Sequence, residues 1–121
     1  MGIKGGLRKD LGIYVRSSWE ANYARYLKWS KKRGDIKDWK YEQDTFSFPV
    51  KRGTRFYTPD FKVWENDGRI TYHEVKGRMT QKGRTALKRM EKYYPETTII
   101  LIDKNYYKSL CQFARLIPNW E

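Results

Sequence analysis

Residues 55–76 read RFYTPDFKVWENDGRITYHEVK, and this stretch decides the fold. The two segments 55–65 and 69–76 are rich in aromatic and β-branched side chains, which favour strands. Between them, residues 66–68 (Asn-Asp-Gly) form a three-residue loop whose glycine can adopt the left-handed conformation, a common closure of a hairpin. The pattern therefore predicts two antiparallel strands joined by a tight turn.

The length of this loop fixes which side chains face one another. A three-residue loop pairs Glu65 with Arg69, and counting back from that pair places Asp60 opposite Glu74. Residues that face each other across an antiparallel pair share one face of the sheet, and Lys76 lies two residues further along the same face. A two-residue loop would shift the register by one residue and scatter the group.

Two carboxylates and a lysine on one face suggest a specific chemistry. Asp60 and Glu74 would repel each other at this separation, and a bound cation removes the repulsion. Carboxylate oxygens are the ligands that a hard cation such as Mg²⁺ prefers. Lys76 could then stabilise developing negative charge or help to position a water molecule. The alternative is an ordinary ion pair on an exposed sheet face, but that alternative does not explain the aspartate opposite.

A third acidic residue lies upstream, where the sequence predicts a helix from about residue 18 to residue 33. Ser17 and Glu20 have the spacing of a capping box, with Ser17 as the N-cap. A cap explains Glu20 completely, so its sequence position leaves a structural and a functional role open.

These elements together resemble the PD-(D/E)XK nuclease superfamily. Pro59-Asp60 matches the first half of the motif and Glu74-Val75-Lys76 matches the second. Arg16-Ser17-Ser18-Trp19-Glu20 is similar to the Arg-Ser-x-x-Glu element of several members, including phage endonuclease I-type Holliday junction resolvases and related small phage nucleases. The order of the motifs covers residues 16–103. The resemblance implies a restriction-endonuclease-like α/β fold with an αβββαβ core, in which helices flank a mixed sheet.

The resemblance also implies a reaction. It predicts an endodeoxyribonuclease that hydrolyses phosphodiester bonds and leaves 5′-phosphate and 3′-hydroxyl ends. The implied catalytic residues are Glu20, Asp60, Glu74 and Lys76. Asp60, Glu74 and the backbone carbonyl of Val75 would hold Mg²⁺, for which Mn²⁺ should substitute, and Glu20 is a candidate ligand of a second ion.

The charge of the chain fits a polyanionic partner. Lys and Arg total 26 against 14 acidic residues, giving a net charge of +12 and an isoelectric point near 9.8. DNA is the leading candidate for such a basic surface. The predicted DNA contacts are the basic residues near the motifs: Arg16, Lys51, Arg52, Arg55, Arg78, Lys82, Arg84, Lys88 and Arg89. By analogy with the resolvases, we expect branched DNA such as four-way junctions as substrate and a homodimer as the working unit.

The rest of the chain is consistent with one domain. A second helix is predicted at about 80–94 with Thr80 as its N-cap, and the apolar run 97–102 predicts a central strand buried on both faces. A right-handed crossover would make this strand parallel to the one that contains Glu74. A last helix is expected at about 104–116.

We expect a single nuclease domain over residues 16–121, preceded by a flexible basic arm over residues 1–15. The arm holds four glycines and three basic residues, a composition that is typical of mobile segments. No apolar run is long enough to span a membrane, and no secretory signal is visible. The single cysteine, Cys111, excludes a disulfide within the chain. These features predict a cytoplasmic protein, in the host cell if a phage encodes it.

Two other functions stay open. One is a nicking or transposition-associated endonuclease of the same superfamily. The other is a DNA-binding module without catalysis, in which the acidic residues are ordinary surface groups.

Overall fold

A computed structural model describes residues 4–121 of the chain. The described part contains three α-helices, a short 3₁₀ turn and eight strands. Their bounds are β1 (Gly6–Arg8), β2 (Ile13–Val15), α1 (Ser18–Arg33), β3 (Asp38–Tyr41), β4 (Phe46–Ser47), β5 (Phe56–Tyr57), β6 (Phe61–Trp64), β7 (Ile70–Val75), α2 (Gln81–Tyr93), β8 (Thr98–Ile102), α3 (Lys104–Leu110) and the 3₁₀ turn (Cys111–Phe113).

The centre of the fold is a mixed sheet of four strands in the order β3-β6-β7-β8. Its first three strands are antiparallel neighbours, and β8 runs parallel to β7. Helix α2 connects these parallel strands, since parallel neighbours need a crossover. The α/β class and the αβββαβ order are therefore confirmed, with α1, β3, β6, β7, α2 and β8 as the core elements.

The hairpin of β6 and β7 has the predicted register. The Glu65 amide donates to the Arg69 carbonyl at 2.8 Å, and Phe61 pairs with His73. Gly68 has a φ of 90°, a left-handed conformation that glycine adopts without steric cost. Because the register continues by one residue, Asp60 lies opposite Glu74.

One face of the sheet carries the main core. Tyr23 and Leu27 of α1 are buried in one cluster with Phe61, Val63 and Ile102. Full burial of such a side chain contributes roughly 1.5–3 kcal/mol, so this cluster is a major source of stability.

His73 also points to this face, as strand alternation predicts, where its Nδ1 lies in hydrogen-bond contact with the Tyr23 hydroxyl. Burial lowers the pKa of His73 to about 4, so the only histidine is neutral and turned away from the acidic residues.

The opposite face is covered by α2 and by the small β4–β5 sheet. Phe46 of β4 packs edge-on against Tyr72 of β7 and against Tyr94. Helix α2 buries Ala86 and Met90 and starts at the predicted N-cap, Thr80, whose hydroxyl accepts from the Gly83 amide. Asp60 and Glu74 therefore lie between the start of α1 and the start of α2.

The N-terminal segment differs from the predicted flexible arm. Residues 1–3 lie outside the described part, but β1 and β2 pair as a hairpin. Arg8 forms an ion pair with Glu121 at 2.7 Å, and Asp10 forms one with Arg25 at 2.9 Å. The partners lie 113 and 15 residues away along the chain, so no local pattern predicts them.

Strand β8 also differs from the prediction, because it lies at the edge of the described sheet rather than at its centre. Ile102 is fully buried, but Thr98 and Leu101 are exposed. The run is apolar because parts of both faces are covered, whereas its open edge leaves no mark on hydropathy.

Among residues 4–121, no helix is both long and apolar enough to cross a lipid bilayer.

Candidate active site

The four predicted catalytic residues line one cleft. Its volume is about 660 Å³, and its walls include Glu20, Asp60, Glu74 and Lys76. Helix α1 supplies Glu20, β7 supplies Glu74, and Asp60 and Lys76 lie next to the ends of β6 and β7. The cleft is therefore formed by side chains that the hairpin register and the start of α1 bring together.

Each buried carboxylate has one oxygen held by the chain. Asp60 Oδ2 accepts from the Val75 amide at 2.8 Å. Glu74 Oε1 accepts from the Tyr57 hydroxyl at 2.9 Å and from the Asp60 amide at 3.2 Å. These bonds orient both carboxylates toward the cleft.

The second oxygen of each carboxylate lies near a cation. Asp60 Oδ1 is 3.6 Å from an Arg16 nitrogen, and Glu74 Oε2 is 3.5 Å from Lys76 Nζ. No fully buried side-chain oxygen or nitrogen among residues 4–121 lacks a hydrogen-bond partner. Asp60 Oδ1 accepts no hydrogen bond in that part of the chain, so it must reach the solvent of the cleft.

The pair is electrostatically unfavourable without a further cation. Burial raises the pKa of Asp60 well above its usual range, and the negative charges of Glu74 and Glu20 raise it further. Burial also raises the pKa of Glu74, although the Tyr57 hydrogen bond and the Lys76 charge oppose the rise. Asp60 and Glu74 are only 4% and 5% exposed, so solvent screens their repulsion weakly.

Lys76 reaches the pair along the first turn of α2. Its Cε atom lies 3.6 Å from the position that a Cβ atom on Gly83 would take, and the sulfur of Met79 lies 3.1 Å from that position. A Cβ atom on Gly83 would also lie 3.3 Å from the Thr80 hydroxyl oxygen, so a larger side chain there would crowd Met79 and Thr80. Its distance to Lys76 is that of an ordinary van der Waals contact.

The backbone amide and the side-chain carboxylate of Glu20 have different hydrogen-bond partners. Ser17 is the N-cap of α1, and its hydroxyl accepts from the Glu20 amide at 3.2 Å. The Glu20 carboxylate instead accepts from the Tyr41 hydroxyl at 2.6 Å, which is the only hydrogen bond it makes among the described residues. The N-cap is confirmed, but the carboxylate half of the capping box is absent there.

Arg16 bridges two acidic residues at the mouth of the cleft. It forms ion pairs with Asp60 and with Glu42, the residue that follows β3. The amide of Glu42 donates to the Asp60 carbonyl at 2.8 Å, and Glu42 has a φ of 47°. This conformation is uncommon for a residue with a side chain, and such strain is often found at functional sites.

Eight of the nine predicted DNA contacts separate into three groups. Arg16, Arg78 and Lys82 line the cleft, whereas Arg84 and Lys88 are exposed on α2 and Lys51, Arg52 and Arg55 are exposed near the β4–β5 turn. Arg89 differs from the others, because its guanidinium donates to the carbonyls of Arg52 and Thr54. Arg89 thus ties α2 to the turn, a structural contact that its sequence position did not predict.

The described residues contain no group of three or more histidine, cysteine, aspartate or glutamate side chains arranged to hold a metal ion. Side chains alone therefore offer the buried pair, Asp60 and Glu74. The backbone of Val75 adds an oxygen, since the amide and carbonyl of a strand residue face the same edge and the Val75 amide bonds to Asp60.

Three residues that hold the site were not predicted from the sequence. Tyr57 binds Glu74, Tyr41 binds Glu20, and Glu42 pairs with Arg16. Burial raises the pKa of both tyrosines, and the neighbouring carboxylates raise it further, so each hydroxyl remains a donor. Of the three, Glu42 lies one residue past β3, the strand that pairs with β6.

The fold and the cleft define an α/β protein with a buried acidic pair beside a lysine in a basic cleft. The chain belongs to the family described as "Protein of unknown function (DUF1064)", whose model matches residues 9–109. No curated protein and no solved structure matches the chain.

Proposed function

We propose that this protein is a Mg²⁺-dependent endodeoxyribonuclease. The observation that carries the proposal is the arrangement of Asp60 and Glu74. Each carboxylate is buried and oriented by a bond through one oxygen, and each presents its other oxygen beside a cationic side chain. These two cations face four carboxylates, because Arg16 also pairs with Glu42 and the charge of Glu20 acts on Asp60. This excess of acidic groups indicates demand for additional positive charge.

The residues fit a hard divalent cation. Asp60, Glu74 and the Val75 carbonyl supply oxygen ligands only, which suit Mg²⁺ or Mn²⁺ better than zinc. Mg²⁺ keeps several waters and needs one or two carboxylates, so a site with two is sufficient. When bound, such an ion lowers the pKa of a water and stabilises charge on a phosphate oxygen.

The chain's own groups supply the remaining functions. Lys76 lies beside Glu74, where its ammonium can stabilise negative charge that develops on the phosphate in the transition state. Arg16, Arg78 and Lys82 line the same cleft and would hold the flanking phosphates. Tyr57 and the Val75 amide keep the two carboxylates oriented.

The proposal also includes branched DNA as the substrate and a homodimer as the working unit. Their support is the motif layout, which resembles that of junction resolvases with two cutting sites. A nicking or transposition-associated endonuclease of the same superfamily would use the same cleft. A non-catalytic DNA-binding module is the second candidate, favoured by the absence of a third acidic side chain arranged for metal binding among residues 4–121.

One experiment separates catalysis from binding alone. The wild type, Asp60→Asn and Glu74→Gln are incubated with a supercoiled plasmid and with a four-way junction, with Mg²⁺ or with EDTA. We expect the wild type to cut DNA with Mg²⁺ but not with EDTA, and neither variant to cut under either condition. All three proteins should shift the DNA in a gel. If Glu74→Gln cuts as fast as the wild type, the proposal is contradicted. If the wild type shifts DNA without cutting it, the binding module is favoured.

A second readout does not depend on activity. Mn²⁺ binding is followed by electron paramagnetic resonance in the absence of DNA. We expect Asp60→Asn and Glu74→Gln each to weaken binding at least about tenfold, since each removes the negative charge of a ligand. Glu96→Gln, an exposed change elsewhere, is the matched control and should bind as the wild type does.

A further inference from the structure

Phe56 is an exposed aromatic residue on the wall of the catalytic cleft. It is 60% exposed, and it lines the same cleft as Asp60 and Glu74. Its neighbour Tyr57 donates directly to Glu74 at 2.9 Å. An aromatic ring is therefore presented to the cleft one residue away from a contact with the acidic pair.

The backbone that carries Phe56 is held in place on its far side. Phe56 pairs with Ser47 across β4 and β5, and the Ser47 carbonyl accepts from the Tyr94 hydroxyl at 2.6 Å. At the other end of the turn, Arg89 donates to the Thr54 carbonyl. The ring is thus presented from a fixed platform, which reduces the entropy lost when it binds a ligand.

The surroundings of the ring are basic. The Arg55 guanidinium lies 5.7 Å from the centre of the Phe56 ring, and Arg78 and Lys82 line the same cleft. An apolar ring among cations fits a ligand with both an aromatic face and negative charge. A nucleotide of DNA has both, in its base and its phosphate.

The base that the ring meets cannot be one inside an intact duplex. In a duplex both faces of a base are covered by its neighbours, so stacking on a protein ring requires a base that is unpaired or displaced. Such bases occur at bulges, flaps and the opened centre of junctions.

We propose that Phe56 stacks on an unpaired base next to the scissile phosphate and thereby selects distorted DNA over intact duplex. This inference rests on the proposed nuclease function, because it assigns a specificity residue to that cleft. Phe56 is a binding residue in this role and takes no part in the chemical step.

The test uses 2-aminopurine, whose fluorescence falls when it stacks. The probe is placed in a single-base bulge of a DNA duplex, and binding is measured in EDTA so that no cutting occurs. We expect the wild type to quench the probe and Phe56→Ala not to do so. Loss of one stacking contact should weaken binding of the bulged DNA roughly 5- to 100-fold, while binding of intact duplex changes little.

Two variants make the result specific. Phe56→Trp restores a ring and should restore both quenching and the preference for bulged DNA. Tyr106→Ala removes an aromatic side chain that is 41% exposed on α3 and should behave as the wild type does. Absence of quenching by the wild type, or equal loss of bulged and intact DNA by Phe56→Ala, would overturn the inference.

Cutting assays distinguish this inference from the nuclease proposal. If quenching depends on Phe56 but no DNA is cut with Mg²⁺, the stacking role stands and the nuclease proposal fails. If the wild type cuts bulged and intact DNA at equal rates and Phe56→Ala does the same, the nuclease proposal stands and the stacking role is wrong.

Discussion

At the scale of single residues, the buried acidic pair in the cleft lowers the stability of the fold. Burial raises the pKa of Asp60 and Glu74 above their unfolded values, so the folded state favours their protonated forms. Their contribution to stability is therefore present at low pH and is lost as the pH rises from the unfolded pKa through the raised folded pKa. At neutral pH, without a divalent cation, the charged pair destabilises the fold.

This sign gives a prediction for the metal-free protein. Asp60→Asn and Glu74→Gln remove one buried charge but keep a side-chain oxygen that can accept the bonds from Val75 and Tyr57. We expect each variant to melt at a higher temperature than the wild type at neutral pH in EDTA. Mg²⁺ should raise the melting temperature of the wild type and narrow the gap. A variant that melts below the wild type in EDTA would show that lost hydrogen bonds outweigh the relieved repulsion.

Glu20 allows a cap and a carboxylate function to be separated. The cap is the Ser17 hydroxyl, so Ser17→Ala should lower the free energy of unfolding by about 1 kcal/mol. Glu20→Gln keeps an acceptor for Tyr41 and removes the charge, so we expect almost no change in melting temperature and almost complete loss of cutting. Normal turnover by a folded Glu20→Gln protein would assign Glu20 a structural role only.

At the scale of elements, the short β4–β5 sheet is positioned by α2. Arg89 donates to the carbonyls at the turn, and Tyr94 donates to Ser47. Gly53 in this turn has a φ of 71°, a conformation that favours glycine. The platform for Phe56 therefore depends on a contact between Arg89 of α2 and Thr54, which lie 35 residues apart along the chain.

Arg89 and Lys88 are neighbours with different expected roles. Arg89→Ala should leave the Arg52 and Thr54 carbonyls without their donor and make the turn a faster site of limited proteolysis. Lys88→Ala should leave proteolysis unchanged and weaken DNA binding, with the salt slope reduced by roughly one unit if it contacts a phosphate. If both variants are cleaved at the same rate, Arg89 does not hold the turn in place.

Sequence predicted these elements unevenly, for physical reasons. The β6–β7 register was predictable because a three-residue turn fixes it locally, and the N-caps Ser17 and Thr80 are equally local signals. The contacts of Tyr57 and Arg89 were not, because they join segments that meet only after folding. The edge position of β8 was also hidden, since hydropathy reports covered faces and carries no information about strand neighbours.

At the scale of the whole molecule, one arginine joins both ends of the described chain. Arg25 is only 5% exposed and binds Asp10 of the N-terminal hairpin and Glu121. Arg8 binds the same glutamate from β1. A buried charge of this kind is tolerated because it is paired, so loss of one partner should be felt across the segments that it joins.

The loss of stability at acid pH tests this network of ion pairs. The hydrogen bond from Arg8 is the largest cause that lowers the pKa of Glu121 to about 2 from its usual 4.5, and a bond from Arg25 adds to it. A lowered pKa means that the stability is present above about pH 4.5 and is lost as the pH falls toward about 2. Glu121→Gln should therefore be less stable than the wild type at neutral pH, with the difference shrinking across this window. Urea midpoints measured through the window follow the change, and Glu96→Gln, whose side chain is exposed, should track the wild type throughout. Asp60 and Glu74 are present in all three proteins, so the difference isolates Glu121. A constant gap between Glu121→Gln and the wild type from neutral to acid pH would show that packing, and not charge, joins the C-terminal segment to β1 and α1.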